Sequence, residues 1–368
     1  MDTRRALLKK SGAIVGANLL ARANPALSQT PIPWRMPDES EPHLRTWMSF
    51  GASIEIWGDE LLPEVQGNLA ELARTIAKYE PVSMLVRKTE RTLAQRLLRD
   101  ANVTLVEADI DDLWIRDTGP SFVVNPAMTG KRGGVQFNFN GWGNKQAHAN
   151  DAQVASLVAG LAGVPLLHTP LVMEGGCIEV DGQGTAIVTE SCVLNPNRNP
   201  GLSKAAFEVE LKRLLGLTHI IWLPGIKGRD ITDGHTDFYA RFASPGVVLA
   251  GFDPDPQSYD HAVTKAHLQI LRRARDARGK ELEVVVLQAP STFSQKGDAA
   301  TFAAGYVGFY VCNGAVISQK FGDAKADRAA KLLLQRVFSG RVIEQLHMDA
   351  IASGGGSVHC ATQQEPHA

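Results

Sequence analysis

The sequence predicts an α/β fold in one domain, built as a pseudo-symmetric ring of five repeated units, a five-bladed α/β propeller. Secondary-structure signals recur in one order: two short strands, an amphipathic helix and one closing strand. The closing strands are short and apolar, as expected for buried strands. The most unusual polar motifs stand just before the first strand of a unit. An ordinary open α/β sheet is the alternative that this pattern leaves open.

The first unit carries the longest predicted helix. A strand at 46–50 precedes a helix at 62–78, a strand at 82–86 follows, and an extra helix is predicted near 91–99. One face of the long helix is apolar at helical spacing, formed by Leu62, Val65, Leu69, Leu72 and Ile76.

The other four units each show two strands, a helix and a closing strand. Ser203 stands before one of these helices as an expected N-cap. In chain order the predicted ranges are 122–124, 135–137, 152–161 and 165–168; 178–180, 186–189, 204–215 and 219–223; 238–242, 247–250, 259–274 and 283–287; and 307–312, 315–318, 325–337 and 341–345.

Composition restricts the classes of partner. The chain has 368 residues, is 44% hydrophobic, and carries 38 Lys and Arg against 39 Asp and Glu. Such a balance argues against a nucleic acid or an anionic membrane surface as the main partner. Since no run of about eighteen apolar residues occurs, we expect no membrane-spanning helix. A small molecule is the expected partner, and a homo-oligomer remains open.

The N-terminal segment has the features of an export signal. Arg4 and Arg5 precede a weakly apolar stretch at 12–20, and small residues follow as far as Ser28. The paired arginines resemble a twin-arginine signal. We therefore predict a signal peptide at 1–28, a catalytic domain at 29–368, and a periplasmic or secreted protein. A short basic helix is the alternative.

The four cysteines do not occur as close pairs. Because Cys177, Cys192, Cys312 and Cys360 form no C-x-x-C motif, the spacing predicts neither a zinc site nor a dithiol redox site. A disulfide framework is not expected in a chain of this size. Cys360 differs from the others, because it follows three consecutive glycines, Gly354–Gly356, which allow backbone to approach a ligand closely.

A ring would bring four of the polar motifs to one end of its axis. They contribute the thiol of Cys360, the imidazole of His235, and the carboxylates of Asp117, Glu174 and Asp237. A thiol beside a histidine is the usual arrangement for nucleophilic catalysis. Paired carboxylates bind a guanidinium group well. Together they predict a pocket for a flat cation with an electrophilic carbon, which describes a guanidino group.

Simpler readings of the same residues remain open. Asp117 could form an ion pair with Arg116, and Cys360 could be an inert buried thiol. Glu174, His235 and Asp237 could instead bind a metal ion in a hydrolase. His359 adjoins Cys360 but would point away from it in an extended segment, so it is not the expected base.

Several ordered motifs, spread over the whole chain after the signal segment, resemble the agmatine deiminase family. That family is related to the bacterial-type peptidylarginine deiminases, within the guanidino-modifying superfamily. The motifs are 36–43 with Trp47-Met48, 114–120, Phe139-Asn-Gly-Trp-Gly143, Glu174-Gly-Gly176, 194–200, 233–237, Asn313-Gly314 and 354–366.

The resemblance implies the pentein-type five-bladed propeller, with no metal or organic cofactor. It implies Cys360 as nucleophile, His235 as general acid and base, and Glu174 as the acid that supports the histidine. Asp117 and Asp237 match the guanidinium-binding carboxylates of the family. The remaining residues expected to line the substrate pocket are Trp114, Asn313 and Gly356.

The resemblance implies hydrolysis of agmatine to N-carbamoylputrescine and ammonia through a covalent thiouronium intermediate. Asn140-Gly-Trp-Gly143 replaces the arginines with which the peptidyl branch holds a carboxylate. Alternatives are a deiminase of peptidyl or free arginine, a metal-dependent hydrolase, and a silent guanidinium-binding protein.

Some positions differ from the usual pattern of the family and make the expected lining more apolar. Cys177 replaces a serine, Glu179 a histidine, Phe238 an asparagine and Ile231 a glutamate. Cys177 is expected close to Cys360, where the two thiols would be exposed to joint oxidation.

Overall fold

Five small β-sheets form the framework of the residues that the computed structural model describes, 34–128, 130–293 and 302–368. Four sheets have three strands and one has four. In every sheet an antiparallel pair of strands is followed by a parallel strand. The parallel strand is reached through at least one helix, because a parallel pair needs a long crossover. This architecture confirms the predicted α/β fold of five units. The predicted signal peptide, residues 1–28, lies outside the described residues.

The elements are numbered in chain order. The strands of the first two sheets and the helices between them are β1 (His43–Phe50), α1 (Ile54–Ile76), β2 (Val82–Val86), α2 (Arg91–Leu97), β3 (Val103–Glu107), α3 (Ile115–Thr118), β4 (Ser121–Val124), β5 (Arg132–Gln136), α4 (Gly141–Asn144), α5 (Val154–Leu161) and β6 (Leu166–His168).

Three further sheets follow. Their elements are β7 (Ile178–Val180), β8 (Thr185–Thr189), α6 (Glu190–Val193), α7 (Lys204–Leu215), β9 (His219–Leu223), β10 (Ala240–Ser244), β11 (Val247–Phe252), α8 (His261–Leu271), β12 (Glu283–Gln288), β13 (Tyr310–Cys312), β14 (Ala315–Lys320), α9 (Ala324–Val337), β15 (Val342–His347), α10 (Asp349–Ser353) and β16 (Gln363–Pro366).

The last strand belongs to the first sheet. β16 pairs antiparallel with β1, with Pro366 opposite His43 and Gln363 opposite Trp47. The segment that contains Cys360 therefore stands before the first strand of its sheet, as the other polar motifs do. This pairing confirms the prediction that the ring closes onto its N-terminal unit.

The apolar faces of the helices pack as the spacing predicts. Val65, Leu69, Leu72 and Ile76 of α1 are fully buried. Burying a side chain of this size contributes about 1.5–3 kcal/mol. The Ser203 side chain accepts a hydrogen bond from the Ala206 amide, which confirms its role as an N-cap.

Besides β16, sequence reasoning missed two features of the first sheet. It did not predict β3, the strand at the sheet edge beyond β2. It also placed the start of α1 too late, because the helix begins at Ile54 and is interrupted at Gly58, where φ is +69°. In the described part of the chain no helix is long and apolar enough to cross a membrane.

Short turns before the first strands position the polar motifs. Asp117 lies in α3 before β4, Glu174 precedes a single helical turn before β7, and His235 precedes another before β10. The turn after Glu174 contacts both α3 and the turn after His235. The Arg116 amide also donates to the Cys360 carbonyl, at 3.1 Å, which joins the α3 motif to the turn before β16.

Candidate active site

One cavity of about 280 Å³ collects residues from the converging turns. Asp117, His235 and Cys360 line it, although they are far apart in sequence. Trp114 and Gly356 line it too, as expected. Much of the remaining wall is apolar, and its large apolar side chains are Ile56, Trp57, Trp142, Ile231 and Phe238.

His235 and Glu174 form a buried hydrogen-bonded pair. The His235 Nε2 atom lies 3.1 Å from Glu174 Oε2, and Arg198 Nε donates to Glu174 Oε1 at 2.7 Å. Burial opposes ionisation of Glu174, but His235 and Arg198 outweigh it and lower the pKa of Glu174 to about 2. Burial also opposes the imidazolium. The Asp117 carboxylate and hydrogen bonds to Cys192 and Glu174 nevertheless raise the pKa of His235 well above its ordinary value. The pair is therefore imidazolium and carboxylate.

Asp117 is the first of two carboxylates on the other side of the imidazole. Its Oδ1 lies 3.8 Å from His235 Nδ1. Trp142 Nε1 donates to Asp117 Oδ2 at 3.0 Å, and the Gly176 amide donates to Oδ1 at 3.1 Å. Burial raises the pKa of Asp117 to about 6, although the His235 charge opposes that shift. Asp117 is thus held in place by two neutral donors, and His235 is its only cationic partner among the described residues.

Asp237 lies behind the lining of the cavity and has an unsatisfied oxygen 4.0 Å from His235 Nδ1. Its Oδ2 atom lies 2.7 Å from His359 Nδ1, whereas Oδ1 is buried and has no hydrogen-bond partner among the described residues. Burial would raise the pKa of Asp237, but the hydrogen bond and charge of His359 outweigh it and lower that pKa. A buried carboxylate oxygen without a donor is costly, so this atom marks a place for a donor from a ligand.

The Cys360 thiol lies against the same carboxylate. Its Sγ is 3.8 Å from Asp237 Oδ2 and 3.4 Å from Ser357 Oγ. Burial, followed by the charges of Asp237 and Asp117, raises the pKa of Cys360 far above its ordinary value. Without a ligand, Cys360 is therefore a neutral thiol, because two negative charges face it.

Two glycines allow these groups to approach. A Cβ atom at Gly176 would lie 2.4 Å from His235 Nδ1 and 3.1 Å from an oxygen of each of Asp117 and Asp237. A Cβ atom at Gly356 would lie 2.1 Å from the Trp114 ring. Each position has space only for a hydrogen atom, which explains the glycine two residues after Glu174 and the glycine four residues before Cys360.

Comparison with known proteins agrees with the geometry of the site. The family model described as Porphyromonas-type peptidyl-arginine deiminase matches residues 35–366. The chain belongs to this deiminase family. A relative from Streptomyces coelicolor is 41% identical over 344 residues, which cover 90% of this chain and 99% of the relative.

Two named agmatine deiminases are similar over nearly their whole length. That of Pseudomonas aeruginosa is 36% identical over 366 residues, 94% of this chain and 98% of the relative. The solved structure of the Enterococcus faecalis enzyme superposes with a TM-score of 0.85 at 32% identity, and the match covers 91% of this chain and 96% of that one. The pentein-type fold expected from the sequence is thus confirmed.

One residue predicted for the pocket of this deiminase lies elsewhere. Asn313 is absent from the lining of the cavity. Its side chain donates to the His43 carbonyl at 2.9 Å and accepts from the His43 amide at 3.0 Å, while its own amide donates to Glu80. Asn313 lies in the tight turn between β13 and β14, where Gly314 has φ of +80°. It therefore links this turn to β1 rather than contacting a substrate.

Cys177 also differs from expectation. It does not line the cavity with Cys360. Its Sγ instead lies 3.0 Å from Glu174 Oε2 and 2.9 Å from Cys192 Sγ. The absence of a C-x-x-C motif did not reveal this pair, because β7 and β8 bring the two residues together from fifteen positions apart.

Sequence reasoning gave no role to several buried charges that support the deiminase site. Glu39 accepts from Arg116 at 3.0 Å and from Arg241 at 2.8 Å, and it lies 3.0 Å from His359 Nε2. His359 in turn holds Asp237, so Glu39 orients a carboxylate of the site through one intermediate residue. Burial would raise the pKa of Glu39, but Arg241 and His359 lower it well below its usual range. Glu39 and Arg198 lie in the motifs 36–43 and 194–200, and Arg116 and His359 lie in the motifs 114–120 and 354–366, but motif membership does not show that these charges pair.

Proposed function

We propose that this protein is a hydrolase that deiminates agmatine, with N-carbamoylputrescine and ammonia as products. One observation carries the proposal: the Cys360 thiol, the His235 imidazolium and the Asp117 carboxylate line one cavity. Directly behind them, Glu174 contacts His235 and Asp237 contacts Cys360, and one Asp237 oxygen has no donor among the described residues. Relatives named agmatine deiminase over most of this chain support the same reaction.

Asp117 and Asp237 bind the guanidinium. Both are almost completely buried, at 7% and 1% exposure, so their attraction for a cation is weakly screened. The free Oδ1 of Asp237 accepts one N–H of the substrate, and Asp117 accepts another. Binding places the guanidinium carbon next to the Cys360 thiol, which also contacts Asp237.

The substrate itself activates the nucleophile. In the free enzyme the charges of Asp237 and Asp117 oppose formation of a Cys360 thiolate. A bound guanidinium neutralises those charges and adds a cation beside the sulfur, so the pKa of Cys360 falls on binding. The thiol therefore becomes strongly nucleophilic only in the complex.

The covalent steps then follow from the positions of the acid and base. The Cys360 thiolate attacks the guanidinium carbon, and a C–S bond forms. His235, held as imidazolium by Glu174, donates its proton to one amino nitrogen, whose C–N bond breaks to release ammonia. The neutral imidazole then takes a proton from water, the water oxygen attacks the thiouronium carbon, and the C–S bond breaks. The ureido product leaves, and Cys360 is regenerated.

The charge of the cavity lining favours agmatine over arginine. No lysine or arginine occurs among the described residues that line the cavity, whereas Asp112 and Asp230 do. A substrate carboxylate would find no cation there, while a second ammonium group would find carboxylates. The apolar side chains of Ile56, Ile231 and Phe238 suit the methylene chain between the two charged ends.

We infer in addition that the protein is exported by a twin-arginine signal at residues 1–28, to the periplasm or beyond. The paired arginines, the weakly apolar stretch and the small residues after it support this inference. Replacing Arg4 and Arg5 by lysine should retain the protein in the cytoplasm on cell fractionation. Unchanged export of that variant would overturn the inference.

A substrate panel tests the reaction. Purified protein is given agmatine, arginine, an arginine peptide and butylguanidine, and both ureido product and ammonia are measured. Agmatine should give the highest kcat/KM. The Cys360→Ala variant should lose product formation while it still binds agmatine in calorimetry. Equal ammonia release by Cys360→Ala, or inhibition of the wild type by chelators in place of thiol reagents, would refute this mechanism.

A further inference from the structure

A pair of cysteines contacts the Glu174 carboxylate without lining the cavity. Cys177 and Cys192 are both fully buried. Their sulfur atoms lie 2.9 Å apart, and each faces the oxygen of Glu174 that contacts His235, at 3.0 and 3.5 Å. All four donor atoms, the two sulfurs, the carboxylate oxygen and a nitrogen of His235, lie within 4.8 Å of one another.

The local fold holds the two thiols together. Cys177 directly precedes β7, whose pairing with β8 places Ile178 opposite Val188. The helix α6 begins immediately after β8 and returns Cys192 towards the start of β7. A cystine here would close a loop of about fifteen residues across a hairpin that is already formed, so little backbone movement is required.

We propose that Cys177 and Cys192 are a covalent modification site that closes to a disulfide directly against the Glu174–His235 pair. The oxidant is a small-molecule or protein disulfide. The thiolate of one cysteine attacks it and releases one thiolate, and the second cysteine attacks the resulting mixed disulfide and releases the other. Forming the new S–S bond oxidises the two cysteines by two electrons, which reduce the oxidant disulfide, and the two cysteine protons go to the released thiolates to give two thiols.

Burial determines when the bond forms. Burial, and then the neighbouring Cys192, raise the pKa of Cys177 well above its ordinary value, so the folded dithiol is inert towards exchange. A chain that folds before it meets an oxidant therefore keeps both thiols. A chain that folds in the presence of a disulfide oxidant closes the bond and then protects it from reductants.

A disulfide fits the two sulfur atoms better than a metal ion does. Two thiolates on a tetrahedral zinc ion, each about 2.3 Å from the metal, lie about 3.8 Å apart. The sulfurs here are already 2.9 Å apart. The Glu174 carboxylate also has a cation already, because Arg198 Nε lies 2.7 Å from its Oε1 atom. A metal ion would have to compete with Arg198 for this carboxylate.

The bond changes the acid–base pair, since oxidation removes both S–H donors from Glu174 Oε2. The carboxylate then holds the His235 proton more tightly, whereas His235 loses the hydrogen bond to Cys192 that helps to raise its pKa. The other charged groups that face the pair do not change: Asp117 and Asp237 face His235, and Arg198 faces Glu174. The basic limb of the pH profile of kcat should therefore move by about half a pH unit, the effect of one weak hydrogen bond, and the sign of the shift shows which of the two losses is larger.

The covalent change is tested first without any activity measurement. The full-length Cys360→Ala variant is unfolded, refolded over a series of glutathione redox ratios, alkylated and digested for mass spectrometry. In parallel, the reduced native protein is treated with the azo oxidant diamide, which becomes the hydrazine wherever thiols react. A peptide pair joined through Cys177 and Cys192 is expected after refolding in oxidising buffer, whereas in the diamide-treated native protein burial should keep both thiols reduced. Cys312 should be alkylated in every sample.

The effect on catalysis is tested in protein that keeps Cys360. Wild type and Cys177→Ser are refolded in reducing and in oxidising buffer, and the pH profile of kcat is measured for each. Only the wild type should show the shift, since Cys177→Ser controls for oxidation elsewhere. The pH profile rests on the proposed function, whereas the mass mapping does not. The two experiments therefore distinguish a failure of the disulfide proposal from a failure of the proposed function.

Two outcomes would overturn the proposal. In one, both cysteines are alkylated at every redox ratio. In the other, the reduced protein takes up one zinc ion per chain with loss of that uptake in Cys177→Ser, and no cystine forms, which would make the pair a metal site.

Discussion

Gly176→Ala tests whether the spacing around the imidazole determines activity. A Cβ atom at this position would lie 2.4 Å from His235 Nδ1, whereas ordinary contacts begin near 3.4 Å. The imidazole or the β7 turn must therefore shift by about 1 Å. A displacement of that size costs about 100-fold in rate, or about 2.7 kcal/mol of transition-state stabilisation. The overpacked site should also lower the free energy of unfolding by about 1–3 kcal/mol.

The assay measures ureido product from agmatine over a range of concentrations, together with urea unfolding of the same samples. Gly160→Ala is the matched control, because Gly160 is exposed near the end of α5 and has no heavy atom within 4 Å of an added Cβ. It should keep full activity and gain up to about 1 kcal/mol of stability. If Gly176→Ala kept kcat/KM within threefold of the wild type, the argument from spacing would be refuted.

Three further changes test the charges of the site. kcat/KM for agmatine should fall as the pH is lowered through about 6, because protonated Asp117 no longer attracts the cation. Trp142→Phe removes a hydrogen-bond donor to Asp117 and should move this acidic limb to higher pH. An acidic limb that does not move would contradict its assignment to Asp117. Arg198→Met leaves the Glu174 carboxylate without its buried arginine partner and should lower the free energy of unfolding by about 3–5 kcal/mol in urea titrations. A variant as stable as the wild type would show that the Arg198–Glu174 ion pair is dispensable. Ile231→Glu adds an acid to the cavity lining and should raise the kcat/KM ratio of agmatine to butylguanidine about tenfold, worth about 1.4 kcal/mol; an unchanged ratio would place the second ammonium elsewhere.

The fold and the reacting groups could be predicted from the sequence because both produce local sequence patterns. The repeated order of strands and helices indicated five units, and the polar motifs before first strands indicated where residues would meet. Glycine beside Glu174 and beside Cys360 reflected close approach, which the space at Gly176 and Gly356 explains.

Other features have no local signal. The strand β16 consists of polar residues and a proline, so no apolar pattern predicted it. Two of its buried side chains have specific partners: Glu365 Oε2 accepts from Trp47 Nε1 at 2.8 Å, and Gln364 Oε1 accepts from Arg116 at 2.8 Å. Such pairings join residues that are far apart in sequence, so they can be identified only from the folded ring. The same reason hid the link from Glu39 through His359 to Asp237.

Asn313 shows the opposite error. An asparagine before a glycine within a recognised motif was assigned to the substrate, although Asn-Gly is also a strong turn signal. The turn explains it completely, since Asn313 bonds only to the backbone of His43 and to Glu80 in the contacts described above. Motif membership alone did not separate a residue that touches substrate from one that fixes a strand.

The pairing of β16 with β1 also governs when the enzyme acquires reactivity. Cys360 lies three residues before the strand that joins Pro366 to His43, the pairing with the widest separation along the chain. Contacts between such distant segments form slowly, because a long loop must be ordered first. In a chain in which β16 has not yet paired with β1, Cys360 is thus separated from His235. The pairing of these two strands closes the ring and brings the nucleophile to the acid–base residue in the same step. Release of that single strand would silence the enzyme without any change to the residues that bind substrate.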